Sequence, residues 1–168
     1  NTNVSMNING VFYVRQTNSE GIATLNIKLW SGKYILTVHN PYDGLLKSFD
    51  VTVLPTIESN DLVKYYHNDS QFYAKFVDGA GNPLVNTKVK FNINGVLYTR
   101  ETNGEGVAKL NINLNPGEYI LTSIHPNGLQ VGKKVTVLPT LEGSDLTMNY
   151  KDGSQFKARL VDGTGRAL

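Results

Sequence analysis

Three histidines, fourteen carboxylates and a scatter of lysines are the side chains from which this chain could build a reaction centre. Hydrolytic or metal chemistry needs a histidine beside a nucleophile, or several ligands converging on one point. His39 lies in HNP and His125 in HPNG, loop positions that read as roughly equivalent, whereas His67 is matched by Lys151. Packing in a loop or plain exposure is therefore expected for all three. The chain contains no G-x-S-x-G elbow, no phosphate loop and no H-E-x-x-H,. Its lack of cysteine removes disulfides, thiol nucleophiles and thiolate metal sites,. Neither an enzyme nor a cofactor is expected.

Acids and lysines give two further candidates. Glu58, Asp61 and Asp78 recur as Glu142, Asp145 and Asp162. With loop carbonyls they approach the about six to eight oxygens that calcium takes, but the D-x-D spacing of strong sites is missing. Linker charge and an Asp-Gly turn are the expected roles, with no metal. An internal isopeptide bond would need a buried lysine, an Asn or Asp and a catalytic acid. Lys64 has the position, yet Met148 is its counterpart, Lys75 becomes Arg159 and Lys28 becomes Asn113, so the copies share no donor. Asn3 (NVS) and Asn68 (NDS) are candidate glycosylation sites on an exported chain, although Lys88 and Asp152 stand at the matching places,. Arg15 and Arg100, in Y-x-R-x-T-N, are expected to bond within the protein. Trp30, opposite Asn115, is expected to pack in its loop; exposed, it would offer a platform for a glycan.

These residues sit in a chain that is 40% hydrophobic and 18% charged, with a net charge of +2. That field is too weak to argue for nucleic acid, and no apolar run is long enough to span a membrane. Asn, Gly, Thr and Tyr are abundant, which disfavours helix and suits strands joined by turns. With neither a leader nor an initiator Met, the chain is expected to be a mature or excised segment.

An internal repeat organises the whole chain. NTNVSMNINGVFYVRQTNSEGIATLNIKLWSGKYILT aligns without a gap on the segment that starts 85 positions later, at Asn86. After a one-residue gap, VTVLPTIESNDL and SQFYAKFVDGAGNPL align on VTVLPTLEGSDL and SQFKARLVDGTGRAL, and roughly 60% of aligned positions are identical,. LPTIESND (54–61) and LPTLEGSD (138–145) read as linkers. The expected organisation is a C-terminal part of one repeat over 1–56, a complete repeat over 60–140 and the N-terminal strands of a third over 143–168. The chain then reads as a window on an array, either one longer polypeptide or separate chains that complete each other by strand donation. Two strands are missing from residues 1–56, which should be unstable alone.

Within the complete repeat, SQFYAKFV points Phe72, Ala74 and Phe76 inward, and VAKLNINL does the same with Ala108, Leu110, Ile112 and Leu114. Asn94-Gly95 and Asn9-Gly10 suit the type I′ turn of a two-residue hairpin. Counting DLVKYY as the first strand, roughly seven short strands at this spacing predict an Ig-like sandwich. Tyr119 and Tyr34 stand where a tyrosine-corner residue would. The fold class is all-β: tandem Ig-like β-sandwich repeats of 84–85 residues, one complete and two partial.

VDGAGNPLVNTKVKF followed by TNGEGVAKLNINLNPGEYILT resembles the Ig-like repeats of bacterial invasin- and intimin-type adhesins. The fuller pattern, LPT…DL…Y…SQF.A..VD..G.PL…V.F.INGV.Y.R.TN.EG.A.LNI.L..G.YI.T, is more similar still to the tandem repeats of adhesin-like surface proteins from gut methanogenic archaea. The likeness covers the complete repeat and both partial ones, with RAL (166–168) departing from NPL. It implies an extracellular, cell-surface stalk or filament. The expected partners are neighbouring copies or repeats of the same protein. Direct binding of surface glycans or host proteins through the HNPYDGLLK and HPNGLQ loops is the alternative.

Overall fold

The computed structural model describes residues 1–168 and contains fourteen β-strands and no helix. It divides into two compact units, Asn1–Pro55 and Thr56–Leu168. The first holds β1 (Asn3–Ile8), β2 (Val11–Gln16), β3 (Gly32–His39) and β4 (Leu46–Val53), in a single antiparallel sheet of order β2-β1-β3-β4.

The second unit holds a two-sheet sandwich. One sheet contains β5 (Ile57–Ser59), β7 (Gln71–Phe76) and β10 (Val107–Asn111), with β7 in the middle. The other contains β6 (Leu62–Tyr65), β8 (Lys88–Ile93), β9 (Val96–Glu101), β11 (Gly117–Ile124) and β12 (Gln130–Leu138), in the order β6-β12-β11-β8-β9. All pairings are antiparallel except β6 with β12, which is parallel, Val135 lying opposite Leu62. A short ribbon of β13 (Leu141–Gly143) and β14 (Ala158–Leu160) follows.

Period-two alternation makes the two sheets stack. Phe72, Ala74 and Phe76 of β7 and Ala108 and Leu110 of β10 are buried against Val89, Phe91 and Ile93 of β8 and Leu121, Val135 and Val137,. The rings of Phe72 and Phe76 meet that of Phe91 edge-on at 5.9 and 6.1 Å, a favoured aromatic geometry. Of these, the alternation in SQFYAKFV and VAKLNINL predicts Phe72, Ala74, Phe76, Ala108 and Leu110.

Two expectations are corrected. The segment 54–61, read as a linker, contains β5: Ile57 lies opposite Phe76 and is 2% exposed. The sandwich therefore has eight strands rather than seven, and Leu62–Tyr65 is its second strand. Three strands, the counterparts of β5, β6 and β7, are thus lacking from Asn1–Pro55, not two.

Ser123 is fully buried in β11 and its hydroxyl has no partner. It faces Phe91 across the sheet, as Val38 faces Met6 in the first unit. An unpartnered buried hydroxyl is destabilising. Ser123→Val is expected to raise stability by about 1 kcal/mol, read as a higher urea midpoint at unchanged slope.

Candidate functional site

The turn and corner residues adopt the same geometry in both copies. Asn9 and Gly10 have φ of 52° and 76°, and so do Asn94 and Gly95. Both pairs close two-residue hairpins, between Ile8 and Val11 and between Ile93 and Val96,. The Tyr34 hydroxyl donates to the Trp30 carbonyl at 2.8 Å, and that of Tyr119 to the Asn115 carbonyl at 2.9 Å. Each ring also lies over the glycine two residues before it, where an added Cβ would sit 3.3 Å from the hydroxyl. Tyr119→Phe leaves that packing and removes one hydrogen bond. A loss of about 1 kcal/mol is expected, measurable by thermal melting of the whole chain.

Most of the charged candidates are bonded within their own surroundings. Asp78 Oδ1 accepts from the backbone N–H groups of Ala80 and Asn82, and Oδ2 from the Asn82 carboxamide. Bonds from Asn82 chiefly hold the Asp78 carboxyl below its ordinary range. Asp162 is lowered in the same way, first by the Thr164 hydroxyl and then by the Arg166 N–H. Asp61 caps the Lys134 N–H at 2.9 Å, and Glu142 pairs with Arg159 at 3.3 Å. Glu58 lies opposite Lys75 on β5. Arg15 and Arg100 each donate to the carbonyl of the preceding residue and lie over Tyr13 and Tyr98, at 5.4 and 5.5 Å from the ring centres.

His125 is buried: its Nδ1 accepts from the Asn127 N–H, which leaves Nε2 as the donor to the Val77 carbonyl at 2.9 Å,. By strand register it corresponds to Asn40, and His39 to Ile124, so the two histidines are neighbours in the repeat frame rather than equivalents. His67 is exposed beside Tyr66. Trp30 is 71% exposed, where packing was expected.

Lys64 is 4% exposed. Its ammonium donates to the carbonyls of Ser70 (3.1 Å) and Ile112 (2.9 Å) and so ties β6 to the end of the opposite sheet. An isopeptide bond would require a carboxyl or carboxamide in that position. Burial lowers its pKa, against the opposing charge of Asp69. The folded state therefore binds fewer protons than the unfolded chain as pH approaches the ordinary 10.5, and stability should rise with pH there. Lys64→Met, which places the Met148 side chain type at this position, is expected to abolish that slope and leave neutral-pH stability within about 1 kcal/mol. Lys64→Ala should cost about 2 kcal/mol through the cavity. Urea melts at several pH values would read both effects.

The two sequons lie in different surroundings. Asn3 is exposed at the start of β1. Asn68 is engaged at both ends of its carboxamide: Nδ2 donates to the Gly163 carbonyl, and Oδ1 accepts from the Ser70 N–H. Gly165 lies against the Tyr65 ring, so close that a Cβ there would be 2.6 Å from it. This seam joins Gly163 and Gly165 to Tyr65 and Asn68 beside the end of β6, and a glycan on Asn68 would have to open it.

Unfinished sheet edges are the largest departure from a closed domain. Ile22–Asn26 is the counterpart of β10 but forms no strand, because its partner would be the counterpart of β7. Its loop is nevertheless in place: Asn18 Oδ1 accepts from the N–H groups of Glu20 and Ile22, as Asn103 does from Glu105 and Val107. Beside it lies a cavity of about 300 Å³ walled by Ile8, Tyr13, Arg15 and residues 25–29. On residues 141–160 the matching apolar side chains are bare. Phe156 is 63% exposed where Phe72 is 1%, and Leu141 62% where Ile57 is 2%.

No family model and no curated protein matches the chain. Among solved structures it is similar to the Bacteroides ovatus mixed-linkage glucan utilization locus SGBP-B in complex with a mixed-linkage heptasaccharide, at 14% identity and a TM-score of 0.33. It is also similar to a Ca2+-stabilized adhesin with which an Antarctic bacterium binds ice (15%, 0.30), and to a 1.5-MDa bacterial ice-binding adhesin (14%, 0.25). These matches cover 89, 84 and 82% of this chain but only 42, 43 and 52% of theirs, so the chain spans about half the length of the proteins it matches. At TM-scores this low the likeness bears on neither ligand nor partner.

Proposed function

We propose that the chain is a stalk or filament segment of an extracellular, cell-surface adhesin-like protein, built from tandem Ig-like domains that neighbouring repeats complete. The observation that supports this reading is one closed sandwich flanked in the same chain by two partial copies of its repeat, a four-stranded sheet before it and a short ribbon after it. An array of such units extends reach, and neighbouring repeats bury the faces that a partial one leaves bare. The seam of Tyr65 and Asn68 on Gly163 and Gly165 gives successive repeats a defined joint. In this reading the tyrosine corners and Asn-Gly turns are structural residues. Immunogold labelling of source cells with antibodies against this chain is expected to decorate surface filaments. Labelling confined to the cell interior would overturn the reading.

A second reading, direct binding of a glycan or host protein, is favoured by the exposure of Trp30 and of Tyr42 in the HNPYDGLLK loop,. Saturable binding of the whole chain on a glycan array, lost on Trp30→Ala, is the result that would select it.

A further inference from the structure

We propose that the hairpin turns Asn9-Gly10 and Asn94-Gly95 are sites of spontaneous deamidation, while Asn103-Gly104 and Asn127-Gly128 are held inert by their own hydrogen bonds. The proposal rests neither on the array reading nor on cellular location.

The chemistry needs only the chain and water. A base takes the glycine N–H proton and the nitrogen attacks Cγ of the preceding asparagine. The Cγ–Nδ2 bond then breaks, and Nδ2 leaves with a proton as ammonia. Water opens the resulting succinimide ring at either of its two C–N bonds, giving aspartate or isoaspartate. Glycine favours closure because no side chain crowds its nitrogen. The chain holds four Asn-Gly pairs, and both residues of every pair are exposed. Access to water therefore does not separate them.

Hydrogen bonding does. Asn103 Oδ1 accepts from the N–H groups of Glu105 and Val107, at 3.0 and 2.9 Å. The Asn103 backbone is also fixed, by bonds to the Val107 carbonyl and from the Gly106 N–H. Asn127 Oδ1 accepts from the Leu129 N–H at 3.0 Å, and the nitrogen that would attack, that of Gly128, donates to the His125 carbonyl at 2.9 Å. Attack at either pair must first give up one or two of these bonds. The Asn9 and Asn94 carboxamides make no hydrogen bond within the protein. The N–H groups of Gly10 and Gly95 lie beyond the last rungs of their ladders, Ile8 with Val11 and Ile93 with Val96. Nothing has to be broken there before the ring can close.

The two products differ in what they do to the fold. Aspartate suits the left-handed φ of 52° at Asn9 and Asn94,, so the turn survives with one more negative charge. Isoaspartate carries the backbone through the former side chain and adds a carbon to a two-residue loop. Ile93 is buried and holds β8 in place, so the edge strand β9 takes up the change and loses its register.

The test incubates the whole folded chain at mildly alkaline pH and follows its peptides by mass spectrometry, each conversion adding about one dalton. Asn9 and Asn94 are expected to convert about tenfold faster than Asn103 and Asn127, the factor that one or two hydrogen bonds are worth. In urea all four should convert at similar rates. Asn103 or Asn127 keeping pace with Asn9 and Asn94 in the folded chain overturns the inference. So does a folded chain in which all four stay intact while the unfolded one reacts, or a tenfold spread that persists in urea. With the two products at Asn94 separated, amide exchange over Val96–Glu101 should be faster in the isoaspartyl form alone. Equal exchange in both would overturn the consequence drawn for β9.

Discussion

Gly106→Ala is expected to destabilise the sandwich of the second unit by about 4 kcal/mol, near the upper end for a single substitution. Two effects add. A left-handed φ of 75° costs an L-residue about 1–2 kcal/mol,. The larger part is steric, because the new methyl would sit 2.5 Å from the Phe76 carbonyl, and backbone cannot rotate away as a side-chain tip can. Relief requires β7 to retreat, which breaks the 2.8 Å bond from the Phe76 N–H to the Gly106 carbonyl and loosens the strand at the centre of its sheet. Gly21→Ala shares the φ but not the neighbours, and in the isolated chain should cost only about 1 kcal/mol. Urea melts of the two variants side by side would read the contrast. Equal losses would mean that backbone conformation alone, and not the approach of β7, makes the glycine necessary.

Phe72→Ala is expected to cost about 3–5 kcal/mol, a large share of the roughly 5–15 kcal/mol that holds a domain folded. Phe72 is among the largest fully buried side chains and packs edge-on against Phe91, so its truncation opens a cavity in the core. Phe156→Ala, the same change at the matching position 84 residues later (Phe72 to Phe156), should move the stability of the unassembled chain by no more than about 0.5 kcal/mol. Calorimetry of both variants at low concentration is the measurement. One sequence motif is thus core in one place and free surface in the other, and only the presence of a partner strand separates them.

That contrast also marks how far the sequence could be read. Signals that act within a few residues, such as Asn-Gly at the hairpins and the alternation through Phe72 and Phe76, are legible because their physics is local. The Asn9-Gly10 turn forms in the first unit even though sheet partners are lacking there. Ile57–Ser59 was not legible: Pro, Thr, Glu, Ser and Asn around it have linker composition, and only a distant residue, Phe76, makes a strand of it. The fate of Lys64 depended likewise on a carbonyl 48 positions away. His39 and His125 were matched by letter across a loop that carries the one-residue gap, where alignment has least to hold it.

The parallel pairing of β6 with β12 has a mechanical meaning. The chain enters the sandwich through the three-residue strand β5, passes into the start of β6 and leaves at the end of β12, so once β5 has given way, tension along the polypeptide draws β6 and β12 past one another. Every rung of that ladder is then strained together, whereas an antiparallel pair pulled from one end peels rung by rung. Rupture under load is set by the rate of crossing such a barrier rather than by equilibrium stability. A repeat built this way would yield late and all at once, and β6, stitched by Lys64 to the far sheet, would be the last thread to slip.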